Sequence, residues 1–345
     1  MTRPLLEIQG LTTSIDTDTG TIHPVSNVSL HIDAGETLAV VGESGSGKSM
    51  LALSIMKLLP RAARFGGGRI LWKDRDLLQT DAESLRRIRG NEIALVFQES
   101  GSALNPVRTV GSQLMEPLRT HLGLPKKRAR ERAIELFREV QIPEPESRIS
   151  SYPHQLSGGM KQRVLIAMAI ACDPQLVIAD EPTTALDATL QAHILELLAR
   201  LKEDRNLSLI LITHDLSLVK DNTDRVAVMY AGRLVEVGPS QRILSAPGHP
   251  YTAGLWRSLP KPRGDEPGKS KLQAMEGSVP HLSTLPPGCA FASRCPERFD
   301  LCDEDVPSLQ NVNGNSIHRT ACYNNAAVVE AMSEKAREAN EVNEA

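Results

Sequence analysis

Gly42-Glu43-Ser44-Gly45-Ser46-Gly47-Lys48-Ser49 is the stretch on which the reading of this chain turns. The run from Glu36 to Gly42 before it is apolar, and the composition then changes abruptly to Gly and Ser. That change predicts a buried strand, a tight loop and a helix beginning near Lys48. The glycines let backbone N–H groups converge on phosphate oxygens with no Cβ in the way. The helix N-terminus adds roughly half a positive charge at the same point. Lys48 is placed for the β- and γ-phosphates of a nucleotide, and the Ser49 hydroxyl for Mg²⁺. A Gly-rich turn with a chance lysine would not meet all four fixed positions of the pattern in this setting.

Three further apolar runs end in residues suited to the same chemistry. Gln175 to Asp180 closes on two adjacent carboxylates, Asp180 and Glu181. Ligands of open α/β sheets bind at the C-terminal ends of strands. Asp180 is read as a Mg²⁺ ligand and Glu181 as the base that polarises the attacking water, because phosphoryl transfer to water needs both. Leu207 to Thr213 leads into His214, expected to contact the γ-phosphate and orient Glu181. Ile93 to Phe97 leads into Gln98, a candidate ligand for Mg²⁺ or water and a mechanical sensor.

Leu156-Ser157-Gly158-Gly159-Met160-Lys161-Gln162-Arg163 resembles the signature motif of ATP-binding-cassette (ABC) ATPases. The apolar stretch Val164 to Cys172 after it reads as a helix stopped by Asp173-Pro174. Gly158 and Gly159 then stand at a helix N-terminus, a second anion site. The resemblance implies an α/β fold. It would be a RecA-like P-loop core with an antiparallel β subdomain, an α-helical subdomain and a small Cys-containing C-terminal extension. It also implies that two cassettes face head-to-tail. Ser157, Gly158 and Gly159 would cover the γ-phosphate held by the other chain, and Asp187 in Ala185-Leu186-Asp187 would lie across that interface. The position matching the family's adenine-stacking aromatic is Ile15, with His23 the nearest ring. After Gln98 the chain has Glu-Ser-Gly-Ser, where the family usually places an acid, a proline and a bulkier residue.

Local phrases narrow the resemblance to the ATPase subunits of bacterial dipeptide, oligopeptide and nickel importers. These are Ala103-Leu104-Asn105-Pro106, Tyr152-Pro153-His154-Gln155, Gly248-His249-Pro250-Tyr251-Thr252, Ser258-Leu259-Pro260, and the run from Gly288-Cys289 through Arg294-Cys295-Pro296 to Cys302 and Cys322. The expected organisation is a nucleotide-binding domain over 1–240, with a helical subdomain at about 99–160. An extension over 241–325 and a flexible tail over 326–345 follow. Residues 5–35 read as antiparallel strands, Gly66-Gly67-Gly68 as a turn before another strand, and Lys126 to Gln141 as an amphipathic helix. The basic run Lys126 to Arg132 reads as a solvated helix start. Arg108, Gln113 and Tyr152 are the residues named for the surface that would meet a permease.

Four of the five cysteines fall at 289, 295, 302 and 322, while Cys172 reads as a small core residue. Four thiolates suit zinc or an iron–sulfur cluster. The close C-x2–4-C pairs usual for structural zinc are absent, and His318 is a possible substitute ligand. The resemblance implies a [4Fe–4S] cluster on Cys289, Cys295, Cys302 and Cys322.

Composition bounds the rest. The chain has 345 residues, enough for two domains, and 41% hydrophobic residues, enough for a sizeable core. A net charge of −3, pI near 6.3 and 3% aromatics argue against nucleic acid as a partner. No signal peptide and no 18-residue apolar run is seen, so a peripheral place at the cytoplasmic face of the inner membrane is expected. The expected function is an ATP-hydrolysing subunit that energises import of di- or oligopeptides, with ATP and Mg²⁺ as cofactors. Its partners would be a second ABC ATPase in a heterodimer, two transmembrane permease subunits and an extracytoplasmic binding protein. The same motor serving nickel, D,D-dipeptides or peptide antibiotics is the alternative. A non-transport ABC ATPase is the alternative of another class.

Overall fold

The computed structural model describes residues 3–18, 20–98, 103–184, 186–220, 222–258, 275–312 and 314–324. Residues 99–102, Ala185, the Leu259-Pro260 step and the expected tail at 326–345 therefore lie outside the described residues.

The chain opens with two long antiparallel strands, β1 (Leu6–Thr17) and β2 (Gly20–Ile32). β3 (Thr37–Val41) follows and is buried at every position. After the phosphate loop come α1 (Lys48–Ile55), β4 (Ala63–Trp72) and the short β5 (Arg75–Asp76). Strands β2, β1, β4 and β5 form one antiparallel sheet in that order.

The expected turn at Gly66-Gly67-Gly68 is instead the interior of β4, because the whole stretch pairs with β1. A register shift between Gln9 and Thr12 brings the two backbones together. At Gly68 φ is +90°, and a Cβ there would lie 2.6 Å from the Gly10 carbonyl oxygen and from the Leu11 nitrogen. Glycine in this strand marks a bulge and a close backbone approach.

α2 (Ala82–Ile88) and β6 (Ile93–Val96) lead into a helical layer of α3 (Val110–His121), α4 (Lys126–Glu139), α5 (Pro145–Arg148) and α6 (Gly158–Ala169). On α4 the buried residues are Ala129, Ala133, Ile134, Leu136 and Phe137, one stripe at helical spacing. Lys126, Lys127, Arg128 and Arg130 lie exposed, as a solvated helix start requires.

The second sheet carries the site. It is built from β6, β7 (Leu176–Asp180), β8 (Ser208–Thr213), β3 and β9 (Arg225–Tyr230), all parallel. α7 (Ala188–Arg205) crosses from β7 to β8. β10 (Arg233–Pro239) turns back antiparallel beside β9. After α8 (Ser240–Ser245), α9 (Pro250–Arg257) and α10 (Leu301–Glu304), β11 (Gln310–Val312) and β12 (Asn315–Thr320) complete the edge in the order β11-β12-β10-β9-β3-β8-β7-β6.

The central strands are apolar throughout because both faces are covered. Leu176, Ile178, Ile210 and Ile212 face the core shared with α1 and the antiparallel sheet. Val177, Ala179, Leu209 and Leu211 face the core of the helical layer. Ala39, Val41, Val226 and Val228 face a third core formed with Tyr251 and Phe291 of the C-terminal extension. The parallel strands place the C-terminal ends of β3, β6, β7 and β8 on one rim, and every polar residue singled out at a strand end stands there.

Candidate functional site

The loop Gly42–Ser49 leaves β3 and enters α1 at Gly47, whose φ is +102°. A Cβ on Gly47 would lie 2.0 Å from the Pro24 carbonyl oxygen, so only glycine admits this approach between loop and β2. Lys48 Nζ lies 2.8 Å from the Gly42 carbonyl oxygen and 2.9 Å from that of Glu43. Burial pushes the Lys48 ammonium below the ordinary lysine range, while Glu181, Asp180 and Glu43 pull it back up. Ser49 Oγ donates to Asp180 Oδ1 at 3.0 Å, across 131 residues of sequence. This hydroxyl and carboxylate sit together as two oxygen ligands of one Mg²⁺ ion must. Burial raises the Asp180 carboxyl above its usual range, and Glu181 beside it adds to the rise.

Glu181 takes φ +46°, an uncommon left-handed conformation for a residue with a side chain. Its N–H donates to the Ile212 carbonyl at 2.9 Å, which ties it to β8. Three groups converge on its Oε2. Gln98 Nε2 donates at 2.9 Å, Thr184 Oγ1 donates at 2.8 Å, and His214 Nδ1 lies at 3.2 Å. Gly42, Glu43, Ser44, Gln98, Glu181 and His214 line one cavity at the rim. Gln98, Lys48, Ser49, Asp180, Glu181 and His214 therefore converge on one place. A carboxylate held from several sides, a hydroxyl–carboxylate pair that could hold Mg²⁺ and a lysine at a glycine loop are the parts that phosphoryl transfer to water would use.

The family comparisons agree with this geometry. Residues 25–184 match the ABC transporter family model, and residues 235–302 match that of the oligopeptide/dipeptide transporter C-terminal region. The dipeptide transport ATP-binding protein DppD of Bacillus subtilis is 47% identical over 320 residues, covering 92% of this chain and 94% of that protein. The chain belongs to the ABC transporter ATP-binding subunits of the oligopeptide/dipeptide transporter family. It is an ABC-type ATPase. Among solved structures, a dimeric post-hydrolysis state of the ATP-binding cassette MJ0796 bound to ADP and Pi superposes with a TM-score of 0.62 at 28% identity. It covers 68% of this chain and 98% of that one. The cbiO1 protein of Clostridium perfringens, part of the ABC transporter complex cbiONQ, gives 0.60 at 26% identity, covering 70% and 91%.

The cassette's remaining motif residues stand apart from this cavity. Ser157 caps α6, its Oγ accepting from the Met160 N–H at 3.3 Å. Ser157 and Gly158 are exposed, while Gly159 is buried with Leu190 beside it. The Ser157 hydroxyl thus bonds to the first turn of α6, and a Cβ on Gly158 would meet Leu186 and one on Gly159 would meet Leu190. Asp187 caps α7 by accepting from the Leu190 N–H at 2.9 Å, and it too is exposed. Ile15 sits half-buried on β1, opposite Ile22 and Ala63. His23 has its Nδ1 3.0 Å from Ser14 Oγ. Of the residues named for a permease surface, Arg108 and Gln113 line a groove with Phe97 and Glu116. The Gln113 amide is already committed to the backbone of Asn105 and Arg108. Tyr152 lies elsewhere, stacked on His154.

Cys289, Cys295, Cys302 and Cys322 line one cavity together with His249, Phe291 and Tyr323. The Ala292 N–H donates to the Cys289 carbonyl at 3.0 Å, and the Cys289 N–H donates to the Cys302 carbonyl at 2.7 Å, which joins two of these turns. Burial, reinforced by the neighbouring thiols, pushes Cys295 up to about 11 and Cys322 up to about 12. Among the described residues no three such side chains close on a single metal ion. The four thiols are soft donors around one small cavity, the donor set that zinc or an iron–sulfur cluster would use. His318 turns elsewhere, with its Nε2 2.6 Å from the buried Glu236 Oε1. Cys172 is a buried thiol pushed up to about 11 by burial.

Two contributions escape sequence reading. Thr184 holds Glu181, and the signal is only its position three residues further on. Arg294 and Tyr251 both reach Glu43 of the phosphate loop from the extension. Their phrases bear on family and cysteines, and nothing in them points at the loop.

Proposed function

We propose that this ATPase energises the import of di- or oligopeptides. The observation that carries the reading is the match of residues 235–302 to the oligopeptide/dipeptide transporter C-terminal region, in a chain 47% identical to a dipeptide transport ATP-binding protein over 92% of its length. A nickel, D,D-dipeptide or peptide-antibiotic importer would use the same motor.

In the proposed cycle Gly42–Lys48 hold the ATP phosphates, Ser49 and Asp180 hold Mg²⁺ with Gln98, and Ile15 lies under the adenine. Glu181 polarises the attacking water while His214, Gln98 and Thr184 hold its carboxylate in place. Ser157 and Gly158 are exposed at a helix start that stands apart from the cavity of their own chain, which favours service to a second cassette. Asp187 would lie across the same interface. The partner is proposed to be a different ATPase, giving a heterodimer. Two permease subunits would dock through the groove beside Gln98, where Phe97 is 45% exposed. An extracytoplasmic binding protein would deliver the cargo. Among the described residues no helix is long and apolar enough to cross a membrane, which suits peripheral attachment at the cytoplasmic face.

The division of the chain is proposed as a cassette over 1–240 and an extension over 241–325. In the extension Cys289, Cys295, Cys302 and Cys322 would hold a [4Fe–4S] cluster, which ties together turns that carry little regular structure.

The deciding experiment compares cells carrying this chain with cells carrying Glu181→Gln, using a labelled dipeptide and Ni²⁺. Loss of dipeptide uptake alone is expected. Loss of nickel uptake alone would overturn the cargo and keep the mechanism, and unchanged uptake of both would remove the peptide-importer reading.

A further inference from the structure

Glu43 is the second residue of the phosphate loop, and the C-terminal extension holds it at two points. Its backbone N–H donates to Tyr251 Oη at 2.9 Å. Its carboxylate receives both terminal nitrogens of Arg294, at 2.9 and 3.1 Å. Such a fork fixes direction as well as distance, and charge-assisted pairs of this kind are roughly twice as strong as neutral ones. The Arg294 side chain is 5% exposed and is itself braced, with Nε donating to the Glu276 carbonyl at 2.9 Å. The rings of Tyr230, Tyr251 and Phe291 pack edge to face around it, with centroids 4.6 to 5.4 Å apart. Arg294 ends a single turn, Ala292–Arg294, set between Cys289 and Cys295. The Glu43 carbonyl is in turn one of the two that Lys48 Nζ contacts.

We propose that Arg294 is a positioning residue for ATP binding, fixing the phosphate loop through Glu43 and thereby making nucleotide affinity depend on the four-cysteine extension. Arg294 touches the loop and not the nucleotide. Within the loop the Glu43 carbonyl accepts from the Ser46 N–H at 3.2 Å and from Lys48, and the external fork fixes the carboxylate. Releasing the fork lets the Glu43 backbone and the lysine bound to it sample other arrangements. The loss then falls on affinity for Mg-ATP, while turnover at saturation stays within twofold because Asp180, Glu181 and His214 belong to other strands. The inference rests on the reading of Gly42–Ser49 as an ATP site.

The test uses the full-length chain and a fluorescent ATP analogue with Mg²⁺, followed by KM and kcat in the assembled transporter. Glu43→Gln is nearly isosteric and leaves the extension intact. It should raise Kd and KM by about tenfold, equivalent to about 1.4 kcal/mol, with kcat little changed. Arg294→Met should do the same, and the double variant should be no worse than either single one. Arg294→Lys should recover part of the loss, since it restores charge without the fork. Wild-type affinity in Glu43→Gln, or additive losses in the double variant, would overturn the proposal even if Arg294→Met does not fold. Failure of the wild-type chain to bind the analogue would instead overturn the ATP-site reading.

Discussion

Gln98 Nε2 donates to Glu181 Oε2 across 2.9 Å, although the two residues lie 83 positions apart. Gln98 follows β6 directly after Phe97, whose ring lines the open groove of the helical layer. One short segment thus spans the groove and the carboxylate. Gln98→Ala should lower turnover in the assembled complex about 10- to 100-fold, the range of a lost orienting contact, and weaken Mg-ATP binding by less than that. Single-turnover hydrolysis and equilibrium binding separate the two. Equal losses in both would show that Gln98 serves nucleotide binding instead.

The Ser49–Asp180 bond places a hydroxyl and a carboxylate together before any metal arrives. Asp180→Asn keeps the shape and removes the charge. Hydrolysis should fall by more than about 100-fold, about 2.7 kcal/mol of lost stabilisation. The Mg²⁺ concentration for half-maximal activity should also rise, as a Mg²⁺ titration at fixed ATP would record. An unchanged Mg²⁺ requirement would take Asp180 out of the metal site.

Ser157 is exposed, so a long side chain there has room to stand in solvent. Ser157→Arg loses the α6 cap, a cost of about 1 kcal/mol. It should bind ATP as the native chain does and yet fail in ATP-dependent pairing of cassettes, followed by light scattering with Glu181→Gln in the background. Pairing at the native level would sink the shared-site reading.

Glu236 is fully buried and accepts from the Gly248 N–H at 2.6 Å, the His249 N–H at 3.1 Å and His318. Glu236→Ala leaves three buried groups without their partner, at a cost of about 3 kcal/mol. Thermal melting should drop by several degrees. The fluorescence of Trp256, in neighbouring α9, should report the extension loosening before the cassette; one concerted transition at the native temperature would contradict this.

Cys295 and Cys322 are held protonated at neutral pH by burial. Metal binding to such thiols must release their protons, so loading should be more favourable as pH rises. Chain purified without oxygen should carry iron and acid-labile sulfide, and Cys295→Ser should lose both. Stoichiometric zinc in place of iron would overturn the cluster assignment.

The strand-end residues were legible because a parallel sheet buried on both faces leaves a plain mark. Its strands are apolar runs, and the first polar residue after each stands on the functional rim. The Gly66–Gly68 turn misled because glycine signals both chain reversal and close backbone approach, and only pairing with β1 decides between them. The Arg294–Glu43 fork joins residues 251 positions apart, and no periodicity carries such a distance. The same limit hid the His318–Glu236 bond, which removes that imidazole from the cysteines.

Among the described residues β3, which presents the phosphate loop, pairs with β8 and β9, more than 160 residues further along the chain. The loop is therefore synthesised well before the strands that support it. Until β8 and β9 have both emerged, the strand under this lysine-bearing glycine loop lacks one or both of its neighbours, and such long-range pairing is slow and open to aggregation. A nascent chain halted before residue 230 carries the whole phosphate-binding motif and should be unable to hold a nucleotide.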